Sequence, residues 1–518
     1  MIELIGGEMP AWTEDRPPVG GALLTELAGR LPAGSDVLLA GPHAPELIDA
    51  VAARAASVTC LVRSQPEAIE LDRRGPTVLC GSLAKVTAAD RYDVVVALDG
   101  LDRLCSVEGP QYDWMEGLQA LKRVLRPGGT LLLALENELG VHRLVDPATV
   151  TSAQSDSAWR PLGEFDTKPG NPTRFAERLA AEGLAVDWLG AAWPVPQAPT
   201  MIATPNALRD GPVDALAAAA AGAVGRAYAG KSVLSDPRRL AAAAVRGGLG
   251  PEFAAAWLAV AHRAPRPATT LPLPAVLLGD DAVVELAPPG PRFSAPSGGP
   301  GAGSGTAPAG GWVRRVVRSV PGRDLSALTG PLPAGRLLEE LLLGACLRHD
   351  LPVIRRLLTG WTAALPAATA DNVVVHQDTY ALLDPSVPAQ TDVLRRFAAT
   401  VIGGGYAHPW PAANDVPALS VILHAAAGLE DVPGVPAAGP PPPDSRREHE
   451  EQLRALRRQL SEAASRVQWY ERELDRRDTE LRKARMQIAT FSGSIGYRAA
   501  KLGYRWVGKV RDHLRKGQ

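Results

Sequence analysis

A chain of 518 residues is too long for one hydrophobic core, so three or so domains are expected. Its 55 Lys+Arg against 56 Asp+Glu leave a formal net charge of −1, which excludes general nucleic-acid binding through a basic surface. Hydrophobic content of 46% with 21% charged residues fits a globular protein, and 51 Gly with 47 Pro imply long linkers.

Cys60, Cys80, Cys105 and Cys346 have neither metal-ligand nor redox spacing; they read as core packing in a reducing cytoplasm, and no metal site is expected. The N-terminus lacks the basic, apolar and small-residue succession of a secretory signal. No run approaches the ~18 uninterrupted apolar residues of a membrane span.

Residues 1–20 carry Pro10, Pro17 and Pro18 and read as an irregular lead-in, followed by a helix over Gly21 to Gly29. Strand signals recur at Val37–Ala40, Ser57–Val62, Thr77–Cys80, Tyr92–Leu98 and Thr130–Leu135. Helical segments fall between them, at Glu46–Ala56, Gln65–Arg73 and Tyr112–Val124. Continuous apolar strands alternating with helices predict an α/β fold, a parallel sheet covered on both faces. Ligands of such sheets bind beyond the carboxyl ends of the strands, where the strand order reverses. A helix is predicted over Arg174–Glu182, and Leu184–Trp193 with Pro199–Thr204 would form an antiparallel end pair, closing a first domain of residues 1–207.

Leu208–Ala264 is Ala-rich and predicts a helical connector, including an amphipathic series over Leu249–Val260. A second α/β domain is expected over 265–432, interrupted by a Pro-, Gly- and Ser-dense loop at 288–311. It would hold hairpin strands within Leu271–Leu286 and Trp312–Arg318, a helical stretch at Leu337–Thr359, and a strand pair at Asp371–Val375 and Tyr380–Asp384.

A Pro-rich linker, 433–443, then leads into residues 444–491. There Leu453, Leu456, Leu460, Ala463, Val467, Tyr470, Leu474, Leu481, Ala484, Ile488 and Phe491 follow an alternating three–four spacing broken by Arg477. That spacing predicts a coiled coil and a homodimer. The tail, 492–518, places Ile495, Leu502, Trp506 and Leu514 on one helical face and Arg498, Lys501, Arg505, Lys509 and Lys516 around it. Residues 495–516 therefore suit a membrane surface or an anionic partner, giving a cytoplasmic protein peripheral on the inner face of the membrane.

The run Tyr92-Asp93-Val94-Val95-Val96-Ala97-Leu98-Asp99, and the helix end Leu121–Val124 followed by Leu125-Arg126-Pro127-Gly128-Gly129, carry a specific resemblance. They resemble the fourth strand, next helix and fifth-strand turn of class I S-adenosylmethionine-dependent methyltransferases. The resemblance covers roughly the first 200 residues. It implies a Rossmann-like seven-stranded sheet, followed by a helical/α+β second domain and the C-terminal coiled-coil helix, with S-adenosylmethionine as cofactor. Glu136–Gly140 and Trp193–Thr200 resemble a subgroup found in surface-glycan gene neighbourhoods, which implies glycan or secondary-metabolite modification.

The family's cofactor loop reads acid-x-Gly-x-Gly-x-Gly, and here Leu39-Ala40-Gly41-Pro42-His43-Ala44-Pro45 keeps only Gly41. The second strand ends Leu61-Val62-Arg63-Ser64, without the acid that takes the ribose hydroxyls. Loss of that charge-assisted pair costs on the order of 1.5–3 kcal/mol. Gly81-Ser82-Leu83 matches the adenine-contacting turn. By resemblance the cofactor-binding residues are Gly41, His43, Arg63, Ser64, Ser82, Leu83 and Leu98. Asp99, after the fourth strand, and His142, after the fifth, are the candidate catalytic groups.

Two readings follow. One is a working methyltransferase with an altered pocket. The other is a catalytically inactive scaffold, dimerised by its coiled coil, that positions a glycosyltransferase or membrane partner. Open space beside Gly41 favours the first, and Pro42, His43 or Pro45 filling it favours the second. In the second domain, Asn372 and Asp384 resemble the metal-binding pair of aminoglycoside-phosphotransferase-like kinases. Ala367 stands where the catalytic Asp belongs and Glu285 where a phosphate-binding Lys belongs, so kinase activity is not expected, and the domain reads either as a degenerate kinase-like fold or as a plain α/β interaction domain.

Overall fold

The computed structural model describes residues 1–14, 16–87, 89–106, 109, 112–146, 167–231, 233–265, 271–279, 282–288, 311–320, 322, 324–429, 445–493, 496 and 498–506. Nearly all of the 288–311 loop, the 433–443 linker and the tail beyond 506 lie outside these residues. The chain forms two compact units, Met1–Ala437 and Ala438–Gln518.

The first unit is mixed α/β, built on a large sheet. Its strands are β1 (Ile2–Gly6), β2 (Asp36–Ala40), β3 (Ser57–Val62), β4 (Thr77–Gly81), β5 (Tyr92–Ala97), β6 (Leu125–Glu136), β7 (Leu184–Trp193), β8 (Met201–Ala203), β9 (Ala256–Arg263), β10 (Val276–Leu278), β11 (Val283–Ala287), β12 (Val313–Arg318) and β13 (Gly330–Pro331). The spatial order is β1-β4-β3-β2-β5-β6-β9-β7-β8-β10-β11-β12-β13. From β1 to β6 every pairing is parallel; from β9 onward every pairing is antiparallel.

The parallel half forms because its strands bury both faces. Leu38 and Ala40 pack on one side with Val95 and Ala97, while Val37 and Leu39 pack on the other with Val94 and Val96. The helix leading into β6, Trp114–Val124, starts in a capping box made by Asp113 and Glu116 and runs directly into the strand. The Arg-Pro-Gly-Gly turn then bulges out between the Tyr92–Leu125 and Val94–Thr130 pairings. Arg126 of that bulge is clamped by Asp36 at 3.2 Å and Asp93 at 2.7 Å.

Three expectations are corrected. The lead-in is not wholly irregular: Ile2–Gly6 adds a parallel edge strand to β4. The connector is not all helix: Ala256–Arg263, within the Leu249–Val260 helical series and just beyond it, is a strand wedged antiparallel between β6 and β7. Ala-rich and buried along almost its whole length, it has no alternating face, and periodicity cannot tell such a run from a buried helix. The division at 207 and 264 also fails, because β8 pairs with β10 and carries the same sheet on to β13.

The connector does keep its helices Val213–Ala227 and Pro237–Arg246, which meet through alanines. A further core gathers Leu338 to Ala427 beneath a three-stranded sheet of β14 (Arg336–Leu337), β15 (Val373–His376) and β16 (Thr379–Leu382). The Asn372 side chain there is consumed by the Asp384 backbone, donating to its carbonyl at 2.8 Å and accepting from its amide at 2.7 Å. The Asp384 carboxylate accepts from Ser386. No cluster of metal-ligating side chains is found among the described residues.

The second unit is a helix over Ser445–Gly493, about 73 Å long at 1.5 Å per residue. Leu456, Leu460, Val467, Tyr470, Leu474, Leu481 and Ile488 lie exposed along it. Arg477, placed in the expected seam, pairs with Glu473 one turn earlier at 3.3 Å. Among the described residues no helix is long and apolar enough to cross a membrane.

Candidate functional site

The strand order reverses between β2 and β5, with β3 and β4 on one side and β6 on the other. A crevice therefore opens between the carboxyl ends of β2 and β5. The loops leaving β2, β3, β4 and β5 bring Gly41, His43, Arg63, Ser64, Ser82, Leu83, Leu98 and Asp99 to this end of the sheet. All the candidate cofactor residues are gathered, yet the chain's own groups fill the space among them.

His43 is the plug. Gly41 takes φ +96°, a left-handed turn that favours glycine, and the chain doubles back so that Pro45 begins the next helix. The buried imidazole then lies across the crevice. Its Nδ1–H donates to the Gly41 carbonyl at 2.8 Å, and Nε2 accepts the Leu98 amide at 3.3 Å. This pattern fixes the neutral tautomer. Burial lowers its pKa to about 4, helped by the nearby Arg103 charge and opposed by the bond to Gly41.

Over the plug runs a strap, residues 7–14 and 16–20. It is stitched to the ends of β3 and β2 by three bonds: Met9 N–H donates to the Arg63 carbonyl at 2.8 Å, Ser64 Oγ to the Trp12 carbonyl at 2.8 Å, and Val19 N–H to the Pro42 carbonyl at 3.1 Å. Ala44 returns a bond to Val19 at 2.7 Å, and Gly20 reaches the Gln197 carbonyl at 3.0 Å.

The strap delivers Glu14 to the end of β3, where the ribose acid of the family pattern is missing. Arg63 grips it through two nitrogens, at 2.6 and 3.1 Å, and places a third on the Cys105 carbonyl at 2.8 Å. Burial works against ionised Glu14, but Arg63 and Arg103 outweigh it and hold the carboxyl below its ordinary range. The Asp99 side chain is buried and bound bidentately by Arg103 at 2.5 and 2.6 Å, and Arg103 also reaches the carbonyls of Arg16 and Pro17. Burial pushes Asp99 above the usual range while Arg103 pulls it back. Glu67, beside this network, is raised to about 7 by burial and by the Glu14 charge.

The adenine-turn residues are covered as well. Ser82 Oγ accepts the Ser106 amide at 3.3 Å, and Leu83 N–H donates to the Leu104 carbonyl at 2.7 Å. His142 lies in the short helix Val141–Val145 after β6 and contacts Glu136 at 3.1 Å, and that carboxylate borders the crevice. Burial opposes the Glu136 charge, and His142, Arg143 and Arg16 overcome it, driving the pKa far down.

A cavity beside Asp99 holds about 10 Å³ and is bordered by Arg16, Glu136 and Gln197. That is room for about one water, whereas a small-molecule site takes about 300–1,000 Å³. S-adenosylmethionine does not fit within that small cavity. Sequence reasoning missed Glu14, Arg103 and Glu136, which lock the crevice. Only the four-residue step from Asp99 to Arg103 had a local signature, an i,i+4 ion pair.

No protein-family model and no curated protein matches the sequence. Solved structures with a similar chain path include the [4+2]-cyclase SpnF, 15% identical over 47% of this chain and 81% of its own, at TM-score 0.26. Another is an S-adenosylmethionine dependent methyltransferase from Mesorhizobium loti, 15% identical over 46% and 96%, at TM-score 0.26. A third is Burkholderia thailandensis 1,6-didemethyltoxoflavin-N1-methyltransferase with bound 1,6-didemethyltoxoflavin and S-adenosylhomocysteine, 15% identical over 33% and 69%, at TM-score 0.23. At scores this low none of them bears on this chain's activity.

Proposed function

We propose that this chain is a methyltransferase-type protein whose S-adenosylmethionine crevice is closed by its own strap, and that it handles that cofactor only with the strap withdrawn. The observation that carries this reading is the strand order β4-β3-β2-β5-β6-β9-β7, with β9 reversed between β6 and β7. It supports a seven-stranded methyltransferase sheet embedded in the longer one, with its switch point at Gly41 and Asp99. Gly41, His43, Arg63, Ser64, Ser82, Leu83 and Leu98 are then the residues lining the opened crevice, with Asp99 nearest the acceptor and His142 acting through Glu136. A glycan or secondary-metabolite acceptor rests on the Glu136–Gly140 and Trp193–Thr200 resemblance alone.

The test uses the close approach of the strap at Gly20. A Cβ there would stand 2.3 Å from that of Ala44, so Gly20→Val should force the strap off. Calorimetry with S-adenosylhomocysteine should show no saturable binding to the wild-type chain below millimolar ligand, and measurable binding to Gly20→Val. Hydrogen exchange over residues 7–20 verifies release. A released strap with no binding at millimolar ligand would sink the cofactor reading.

A second reading is favoured by His43 itself, which fills the crevice and bonds both of its walls. On it the protein is a scaffold, dimerised through 444–491, that positions a glycosyltransferase or membrane partner. The exposed apolar stripe along Ser445–Gly493 supports the dimer. The tail's basic helix, with Tyr504 and Trp506 exposed, supports contact with a membrane surface or an anionic partner. Light scattering of the full chain should give twice the chain mass, falling to one chain for Leu474→Asp/Leu481→Asp. An unchanged mass would remove the helix as the dimer seam.

A further inference from the structure

A separate cavity shares no lining residue with the crevice cavity beside Asp99. It holds about 530 Å³, opens to the surface, and is lined by the helices Val213–Ala227, Pro237–Arg246 and Leu338–Leu347 with the turn Gly405–Ala407. The alanines of the first two helices, Ala221 and Ala242 among them, and Leu343 of the third leave an apolar wall. A volume of this size with apolar walls and a few polar groups is what a small-molecule site requires.

Its charged groups divide into two sets. Arg238 is held by Glu339 at 2.5 Å, and Arg246 by Glu340 and by Asp214 at 3.2 Å. Tyr406 donates to Asp236 at 2.7 Å. These pairs lock the frame of the cavity across three helices. Arg239 and Arg336 also line it, and among the described residues neither guanidinium has an ion pair or a hydrogen bond. Four arginines against two glutamates give the lining a net charge of +2, and the surplus sits on the two unpaired groups.

We propose that this cavity binds a small organic anion, a carboxylate or phosphate on an apolar body, with Arg239 and Arg336 taking the anionic group. The guanidinium fork matches both oxyanions bidentately. The apolar wall supplies the rest of the affinity and selects against simple inorganic ions.

The test is calorimetry and thermal melting on the full chain with four probes: decyl phosphate, decanoate, inorganic phosphate and decanol. One or both amphiphilic anions should bind saturably at one per chain and raise the melting temperature, and the better of the two identifies the head group. Inorganic phosphate and decanol should bind at least tenfold more weakly. Arg239→Ala/Arg336→Ala, both exposed positions, should weaken the better probe at least tenfold without moving the melting temperature of the free protein. Ala243→Trp, at an exposed lining position, should block the cavity and abolish binding with both arginines in place. The proposal is overturned if neither amphiphile binds, if inorganic phosphate or decanol binds as well, or if both variants bind like the wild type.

Discussion

Arg103→Met should cost the fold about 3–5 kcal/mol at pH 7, because it strands buried charges. Asp99 would lose both of its charge-assisted bonds with its side chain only 5% exposed. The carbonyls of Arg16 and Pro17 would lose their donor, and Glu14 a cation at 3.8 Å. Urea unfolding should show a lower midpoint at unchanged slope. Asp99→Asn in the same background should recover a large part of the loss, since it removes the charge that was left alone. The strap should loosen in step, with faster amide exchange at Val19 and Gly20. A cost below about 1 kcal/mol would mean that the ion pair is incidental to closure.

The second large effect is a pH dependence carried by His43. Above pH 6.5 the imidazole is neutral in both states. As pH falls, the unfolded chain takes up a proton first, and the folded chain follows only near its pKa of about 4. Stability carried by this residue is therefore complete above pH 6.5 and is lost between 6.5 and 4, by about 3 kcal/mol. Glu67 works the other way: its folded pKa of about 7 lies above the unfolded 4.5, so it favours the folded state at low pH and loses that contribution as pH rises from 4.5 to 7. The quantity to measure is thus the difference between wild type and His43→Gln. The wild-type advantage at pH 8 should shrink by about 3 kcal/mol by pH 4. A difference constant with pH would mean that the imidazole is not held neutral.

The parallel strands were legible because each is a continuous apolar run ended by a turn residue, as in Val37–Ala40 before Gly41. The gathering of Gly41, His43, Arg63, Ser82 and Leu98 followed from the same rule, since each ends a strand or stands just beyond one and such ends converge. Strand β9 was hidden because Ala256-Trp257-Leu258-Ala259-Val260-Ala261 is buried on both faces and rich in a helix-favouring residue. The closure was hidden for a different reason. Glu14 meets Arg63 across 49 residues, and Arg103 meets the Arg16 carbonyl across 87. Nothing local marks partners so far apart, and the prolines of the lead-in read as a lack of structure although the segment that holds them is pinned by hydrogen bonds. Glu285 shows the same limit. Read as a failed phosphate-binding position, it serves as the shared partner of Arg30 and Arg315 on the far half of the sheet.

The order of synthesis has a consequence for the strap. Ile2–Gly6 and the residues after it leave the ribosome before their partners, which are β4, more than 70 residues later, and the ends of β2 and β3. The strap is therefore among the last parts of this half to find its place, because loop closure over that distance must wait for the partner strands. During that interval the crevice stands uncovered, with the sheet that forms it already assembled. A ligand met by the nascent chain could be enclosed at birth and then exchange only as slowly as the strap opens.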